Sequence, residues 1–289
     1  MMAASPLDIR IAARDELNLV LDWAAAEGWN PGLADAVPFH AADPDGFLVA
    51  RLHGQPVAVI SATRYADSFG FIGFYIVRPE ARGQGHGWTL WQAAMARLAG
   101  RNIGLDGVPA QQENYRKSGF TLAHRNVRYE GRSRGATSLE RWPQALGLTQ
   151  LSAVAPQVLS DYDRAFFPTE RRAFLQQWVA QPGTIALGMV QGDALRGYGV
   201  LRPCRAGYKV GPLFADTPQI AATLFDGLCA SAKEGAPVFL DLPECNAAAL
   251  ELAQQRGMHA MFETARMYTG DAPDLALDRT YGMTSFELG

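Results

Sequence analysis

Cysteine is scarce in this sequence, and the cysteines present stand far apart. Cys204, Cys229 and Cys245 contain no Cys-x-x-Cys pair, which argues against a zinc knuckle and against a disulfide framework. We therefore expect reduced thiols and a cytoplasmic location. The histidines likewise show no metal-ligand spacing and no triad partner, so no metal cofactor is expected.

An excess of positive charge and long hydrophobic runs are also missing. The 26 Lys and Arg residues nearly balance the 29 Asp and Glu residues, so the chain lacks the broad cationic field that binds nucleic acids or anionic membranes. No stretch approaches the ~18 apolar residues of a membrane helix, and residues 1–10 lack the apolar run of a secretion signal. We expect a soluble protein that acts on a small molecule, with neither nucleic acid nor membrane as a partner.

A series of structural landmarks occurs twice along the chain in the same order. The landmarks are a hairpin, a buried strand, a helix and a further strand. They are predicted at residues 46–61, 69–77, 88–98 and 103–106, and again at residues 183–201, 207–214, 220–232 and 238–243. Several matches in one order favour a tandem duplication over the alternative of chance similarity.

The chain is long enough for two domains. Its 289 residues are 48% hydrophobic, which supplies two cores of ordinary size or one large one. The polar stretch 131–138 is the natural linker between the halves. The sequence therefore predicts one domain over residues 1–135 and a second over residues 145–289.

A glycine-rich loop lies between the predicted buried strand and the following helix. Its sequence is Arg82-Gly83-Gln84-Gly85-His86-Gly87. Unpaired backbone N–H groups and the positive end of the helix dipole meet at such a point, and Arg82 adds a charged donor. The loop predicts a phosphate site, the alternative being a simple connection. Neither a P-loop ending nor a Rossmann glycine pattern fits it.

A second motif, Asn114-Tyr115-Arg116-Lys117-Ser118-Gly119-Phe120, follows some thirty residues later. Together with the strand, loop and helix it resembles the GNAT superfamily of N-acetyltransferases. The whole chain, with residues 27–32 near its start and 284–289 at its end, looks like a bacterial subgroup with a second, degenerate GNAT half. The resemblance implies an α/β fold of mixed α+β type, with tandem GNAT-like domains whose mostly antiparallel central sheets are flanked by helices.

The resemblance also implies acetyl-CoA as the acyl donor and assigns residues to it. The backbone of the strand before the loop would pair with the pantetheine arm, and Asn114 could bond the same arm. The loop amides would hold the pyrophosphate. The implied cofactor-binding residues are Tyr75, Ile76, Val77, Arg82, Gly83, Gln84, Gly85, His86, Gly87, Trp88 and Asn114.

The second half departs from this pattern at the phosphate position. Its strand runs into Asp216-Thr217-Pro218, which supplies a side-chain N-cap, a carboxylate and a proline without an N–H. We expect no phosphate loop there and one CoA per chain. The second half would then form a wall of the acceptor site or a structural partner.

Acyl transfer to an amine needs a proton for the departing thiolate and a group that takes the amine's proton. In the family resemblance, Tyr115 is the candidate acid, with a packing role as the alternative. Glu27 is the candidate base, with an exposed turn carboxylate as the alternative, and Trp29 beside it could wall an acceptor. Asp106, Asp241 and Glu244 are further carboxylates, for which loop-capping or surface positions are the simpler interpretation.

The sequence thus predicts an N-acetyltransferase that moves an acetyl group directly from acetyl-CoA to the amine of a small molecule. Within the same class, a longer acyl-CoA donor or a protein amine stays open. A different class is a non-catalytic acyl-CoA-binding sensor. The sequence leaves open the acceptor and the oligomeric state, for which a homodimer is one choice.

Overall fold

A computed structural model describes residues 7–135 and 147–289 of the chain. Within these residues, thirteen strands form one continuous sheet. The strands are β1 (Asp8–Ile11), β2 (Phe47–Leu52), β3 (Gln55–Tyr65), β4 (Phe69–Val77), β5 (Asn102–Gly107), β6 (Thr121–Arg132), β7 (Leu148–Gln150), β8 (Ile185–Gln191), β9 (Ala194–Pro203), β10 (Tyr208–Ala215), β11 (Pro237–Pro243), β12 (His259–Tyr268) and β13 (Thr280–Gly282).

The α-helices in the same described ranges flank this sheet. They are α1 (Leu17–Ala26), α2 (Ala36–Ala42), α3 (His86–Arg97), α4 (Gln112–Lys117), α5 (Pro156–Asp163), α6 (Arg172–Val179), α7 (Pro218–Ala230) and α8 (Ala247–Gln255). None of them has both the length and the apolarity needed to span a bilayer.

The elements around β4 follow from local sequence. β4 is apolar on both faces and largely buried, as a central strand must be. Gly85 takes φ +84°, a conformation that glycine adopts without strain, and α3 begins at the next residue. The buried face of α3, with Leu90, Trp91 and Ala94, packs on β3 and β4. The predicted hairpin, buried strand and helix are confirmed in both halves.

The two halves exchange strands within the sheet. The strand order is β1-β2-β3-β4-β5-β12-β6-β11-β10-β9-β8-β7, with β13 beside β10. Strand β12 of the second half lies between β5 and β6 of the first half, and β6 pairs with β11 of the second half. Neither half's sheet is therefore completed by strands of that half alone.

Because of this exchange, the connection between the halves begins later in the chain than the predicted residue 131. Gly131 and Arg132, predicted to lie in the linker, belong to β6 and stand opposite Val238 and Pro237 on β11. The strand continues because the partner strand extends the antiparallel hydrogen-bond ladder to these residues. The predicted linker from residue 136 onward lies outside the described residues, and the division into domains stays a prediction.

A shared aromatic core joins the halves on one face of the sheet. The rings of Phe39 on α2 and Trp178 on α6 stack with centroids 5.8 Å apart, and Phe74 on β4 meets Phe39 at 5.6 Å. Leu288 is buried in the same core. Aromatic packing of this kind stabilises beyond the area that it buries. The core thereby fixes the segment 284–289 close to β4.

Candidate active site

Strands β4 and β5 separate part of the way along their length. They pair in parallel from Phe69 opposite Asn102 to Ile72 opposite Leu105, and no pair follows Ile72. Phe74 has a positive φ of 47°, and the register of β4 against β3 shifts at this point, which is the signature of a β-bulge. Among residues 7–135 and 147–289, no strand pairs with the edge of β4 that faces β5 from Gly73 to Val77.

A cavity of about 440 Å³ occupies the gap. Its walls come from the unpaired end of β4, the end of β5, α4, the turn after α1, and strands and segments of the second half. They include Tyr75, Ile76, Val77, Asp106, Gly107, Tyr115, Glu27, Trp29, Arg82, Arg128, Phe262, Thr264, Phe286 and Glu287. The predicted pantetheine strand and the candidate acid and base thus line one space.

The glycine loop lies at one end of this gap. Gly83 and Gly85 both have positive φ, +74° and +84°, and a Cβ at either would meet no atom within 4 Å. The start of α3 has no side-chain cap, so its first N–H groups are available to an anion. Gly87 differs, because a Cβ there would lie 2.7 Å from the Tyr75 hydroxyl. Gly83 and Gly85 therefore provide a backbone conformation that other residues rarely adopt, and Gly87 leaves room for the Tyr75 hydroxyl.

Arg82 joins the loop to the candidate base. Its Nε donates to the Val77 carbonyl at 2.8 Å, and its Nη2 lies 2.5 Å from Glu27 Oε1. Both side chains are partly exposed, at 51% and 34%. The guanidinium is therefore held at the end of β4 but can still reach an anion in the loop.

The turn that carries Glu27 is fixed by the second half. Glu27 follows α1 directly, and Gly28 reverses the chain with φ +81°. Asn30 then exchanges two hydrogen bonds with the backbone of Ala206, at 2.9 and 2.8 Å. Trp29 is thereby placed in the cavity wall, 6.4 Å from Phe74 between ring centroids.

Tyr115 projects from α4 into the cavity. Its ring packs against Trp91 with centroids 5.5 Å apart and against Phe120 at 6.4 Å. Gly107 makes room for it, because any Cβ on Gly107 would overlap the tyrosine ring. Burial, with a smaller contribution from Tyr75, raises the pKa of Tyr115 to about 12, so the phenol keeps its proton at neutral pH.

Other residues predicted to touch CoA lie at the margin of the gap. Asn114 is on the exposed side of α4, where its Nδ2 donates to Gln111 Oε1 at 2.7 Å. Trp88 is 57% exposed. His86 is half-buried, and its Nε2 is enclosed without a hydrogen-bond partner among the described residues. Its side chain therefore does not point freely to solvent.

Of the remaining candidate carboxylates, Asp106 lines the cavity, but both it and Asp241 are engaged in ion pairs with arginines. Asp106 bonds Arg266 and accepts from Asn126 Nδ2 at 2.8 Å, while Asp241 bonds Arg128. They hold exchanged strands together and do not cap loops. Glu244 is exposed and lies outside the cavity wall.

The second half contributes wall residues that the sequence pattern did not reveal. Phe262 and Thr264 come from β12, and Phe286 and Glu287 come from the segment after β13. They reach the site through the strand exchange and the shared core. The segment 284–289 was noticed in the sequence only as part of a family resemblance.

The corresponding helix start of the second half carries a side-chain cap. Thr217 Oγ1 accepts from the Ile220 N–H at 3.3 Å at the start of α7, and Pro218 is the first helical residue. Asp216 beside them is bonded by Tyr162 at 2.9 Å and by Arg279 at 2.5 Å. A carboxylate at this position opposes an anion.

No group of three or more His, Cys, Asp or Glu side chains is arranged around a metal position in the described ranges. The cysteines are free thiols. The chemical groups of the cavity include phenol, carboxylate, guanidinium and backbone amide.

Comparison with known proteins identifies the family of the chain. Residues 14–120 match the model of the acetyltransferase (GNAT) family, and residues 159–282 match an acetyltransferase (GNAT) domain. The chain is 30% identical over 278 residues to holothin acyltransferase of Pseudoalteromonas sp. (strain SANK 73390), covering 96% of this chain and 93% of that one. The chain belongs to the GNAT family. It is an acyltransferase with a second GNAT-like half.

Solved structures share the fold. A provisionally assigned acetyltransferase from Pyrococcus horikoshii superposes with a TM-score of 0.82 at 22% identity, covering 100% of this chain and 98% of that one. A tandem GNAT protein from the clavulanic acid biosynthesis pathway has a TM-score of 0.61 at 14% identity, with coverage of 92% and 100%. GNAT enzymes take their acyl groups from acyl-CoA.

Proposed function

We propose that this protein transfers an acetyl group from acetyl-CoA to the amine of a small molecule, by direct attack of the amine on the thioester. One observation carries the proposal. The gap between β4 and β5 has an uncapped, glycine-rich helix start at one end and a cavity with phenol and carboxylate groups along it. This arrangement suits an extended donor with a phosphate at one end and a reactive carbonyl at the other.

The donor would lie along β4. The backbone of Tyr75, Ile76 and Val77 has an unpaired edge towards the gap, which favours pairing with the amides of pantetheine. The amides of residues 82–88 would hold the pyrophosphate, with Asn114 and Trp88 at the margin. The thioester then lies towards Gly73 and Tyr115, at the inner end of the gap.

Tyr115 is the proposed acid and Glu27 a proposed base. A protonated phenol in the cavity can give its proton to the thiolate as the carbon–sulfur bond breaks. Glu27 is bonded to Arg82 without the donor. A pyrophosphate in the loop would attract the guanidinium, and the carboxylate would become free to take a proton from the amine.

The test is a transfer assay with the full chain. Acetyl-CoA and longer acyl-CoA donors are each offered with a panel of small amines and a peptide amine, and free thiol and product mass are measured. We expect acetylated small amines and little transfer to peptide. Donor binding without transfer to any amine would favour an acyl-CoA sensor instead.

The surroundings of the reaction are part of the proposal. We place the protein in the cytoplasm because its three cysteines are free thiols. Size-exclusion chromatography with light scattering distinguishes a monomer from a homodimer.

A further inference from the structure

One buried carboxylate of the cavity stands without a partner. Glu287 is only 6% exposed and lines the cavity. Across residues 7–135 and 147–289, no N–H or O–H group donates to its carboxylate and no cation pairs with it. The buried carboxylates Asp35, Asp163 and Asp241 each bond an arginine. Glu287 differs from them because it makes no direct bond and interacts with Arg128 and Arg202 only at longer range.

The segment around Glu287 is held firmly by its neighbours. Thr284 Oγ1 accepts from Arg171 at 2.9 Å, and the Leu288 carbonyl accepts from the Tyr65 hydroxyl at 3.1 Å. The Leu288 N–H donates to Ser285 Oγ at 3.0 Å, closing a tight turn around Glu287. These bonds fix the backbone that carries the Glu287 side chain before any ligand arrives.

Glu287 also lies at the inner end of the β4–β5 gap. Its backbone carbonyl packs so closely on Gly73 that any side chain on Gly73 would overlap it. Gly73 is the first residue of β4 beyond the last pair with β5. A donor that runs from the loop along β4 would place its thioester next to this position.

The surroundings of Glu287 suit a small organic cation. Trp29, Phe262 and Phe286 supply aromatic walls, whose faces attract cations. The guanidinium of Arg128 lies 5.3 Å from the Phe286 ring, but its N–H groups donate to Asp241 and to the Trp29 carbonyl. Arg202 is likewise paired with Asp35. Arg202 therefore has a carboxylate of its own, whereas Arg128 shares Asp241 with the buried Lys209, whose Nζ lies 3.9 Å from that carboxylate.

We propose that Glu287 binds the ammonium group of a primary alkylamine acceptor and takes the proton that the nitrogen must lose before attack. The assignment rests on the proposed acyl transfer and names its acceptor class. An alkylamine with a pKa near 10.4 is almost wholly an ammonium ion at neutral pH, so it must be both held and deprotonated.

The proton and bond changes balance. One proton passes from the ammonium to Glu287, and the nitrogen lone pair then forms the C–N bond to the thioester carbonyl carbon. The tetrahedral intermediate breaks its C–S bond, and the thiolate sulfur takes the proton of Tyr115. The second proton of the nitrogen leaves through Glu27 or solvent, the Tyr115 phenolate regains a proton from solvent, and Glu287 releases its own.

The test compares Glu287→Gln with Glu263→Gln in the full chain. Glu263 is the matched control, since it lies on β12 between Phe262 and Thr264 but is 47% exposed and pairs with Arg125 on the surface. For alkylamines, Glu287→Gln should raise the acceptor KM by about tenfold or more. For an arylamine of similar size, which is neutral at pH 7, we expect a change of less than about threefold. The acetyl-CoA KM should stay constant.

Two further measurements separate this role from a structural one. The melting temperature of Glu287→Gln should stay close to that of the wild type, because no hydrogen bond or ion pair to this carboxylate is lost within the described residues. Glu287→Asp keeps the charge one methylene further away and should retain part of the preference for alkylamines. An equal loss with both amine classes, or a lowered melting temperature, would overturn the assignment.

The experiments test the proposed acyl transfer and the role of Glu287 separately. A wild type that transfers no acyl group to any amine overturns acyl transfer and the Glu287 assignment together. An active wild type, with Glu287→Gln matching Glu263→Gln on alkylamines, overturns the Glu287 assignment alone.

Discussion

Arg266 and Asp106 stand directly opposite each other on β12 and β5, and they bond through two contacts, Nε to Oδ1 at 3.0 Å and Nη2 to Oδ2 at 2.6 Å. Arg128 and Asp241 repeat this arrangement on β6 and β11, at 2.6 and 2.7 Å. Each pair joins an aspartate of one half to an arginine of the other. The exchange of strands is thus fixed by two equivalent buried ion pairs.

Removing one partner of such a pair should destabilise the whole fold. In Asp241→Asn the guanidinium of Arg128 loses its counter-charge in a buried position, and we expect a loss of about 3 kcal/mol or more in the free energy of unfolding. Urea denaturation measures it. Glu113→Gln, which removes an exposed ion pair with Arg116 on α4, should cost less than about 1 kcal/mol. Equal effects would show that Asp241 does not fix the exchange.

His124 should make the fold sensitive to mild acid. It stands opposite Arg266 on β12, and burial, reinforced by that arginine, lowers its pKa from 6.5 to about 4. The unfolded chain therefore binds a proton more readily than the folded chain. The stability is present above pH 6.5 and is lost as the pH falls towards 4.

The pH dependence of unfolding provides the measurement. Between these two pH values we expect His124 to contribute a loss on the order of 1–3 kcal/mol. His124→Gln has no titrating group at this position, so its stability should fall less steeply over the same window. Parallel curves for the two proteins would exclude His124 as the cause.

The two halves should bind CoA differently. The start of α3 has no side-chain cap, whereas α7 starts with the Thr217 cap, Pro218 and the neighbouring Asp216. Titration calorimetry should therefore give one CoA per chain. Two equivalent sites would contradict this difference between the halves.

Gly85→Val tests the phosphate loop itself. The position has φ +84° and open space around it, so a branched side chain strains the backbone and enters the space of the pyrophosphate. CoA affinity should fall by about tenfold or more, equal to about 1.4 kcal/mol. Gly257→Val is the matched control, because Gly257 has φ +67°, equally open space and a distant position after α8. CoA binding should survive that change.

Local sequence patterns predict the local structure of this chain, but they do not predict which distant strands pair with each other. The glycine loop and β4 could be read from sequence, because a buried strand and an uncapped helix start have their own residue signatures. Asp106 and Asp241 lie in the two predicted strands, 103–106 and 238–243, that repeat each other. Their partners Arg266 and Arg128 lie 160 and 113 residues away, and no periodicity indicates that such strands are exchanged.

The acceptor end of the cavity shows the same limit. Glu287 reaches the site because Leu288 enters a core built by both halves and Gly73 accepts the close approach of its backbone. A short aromatic and acidic segment far from the loop carries no local signal of this contact. Glu27, by contrast, was singled out from a turn sequence, and it does line the cavity.

Tyr115 lines the cavity, and its ring packs against Trp91 and Phe120. Tyr115→Phe keeps the packing and removes only the acidic proton. If the phenol protonates the thiolate, kcat should fall by about 10²-fold while the acetyl-CoA affinity barely changes. Tyr281→Phe, in a buried tyrosine of β13 away from the cavity, is the control and should leave both unchanged. Both constants are measured on one active acceptor, and an unchanged kcat in Tyr115→Phe would remove this residue from the mechanism while leaving the donor site intact.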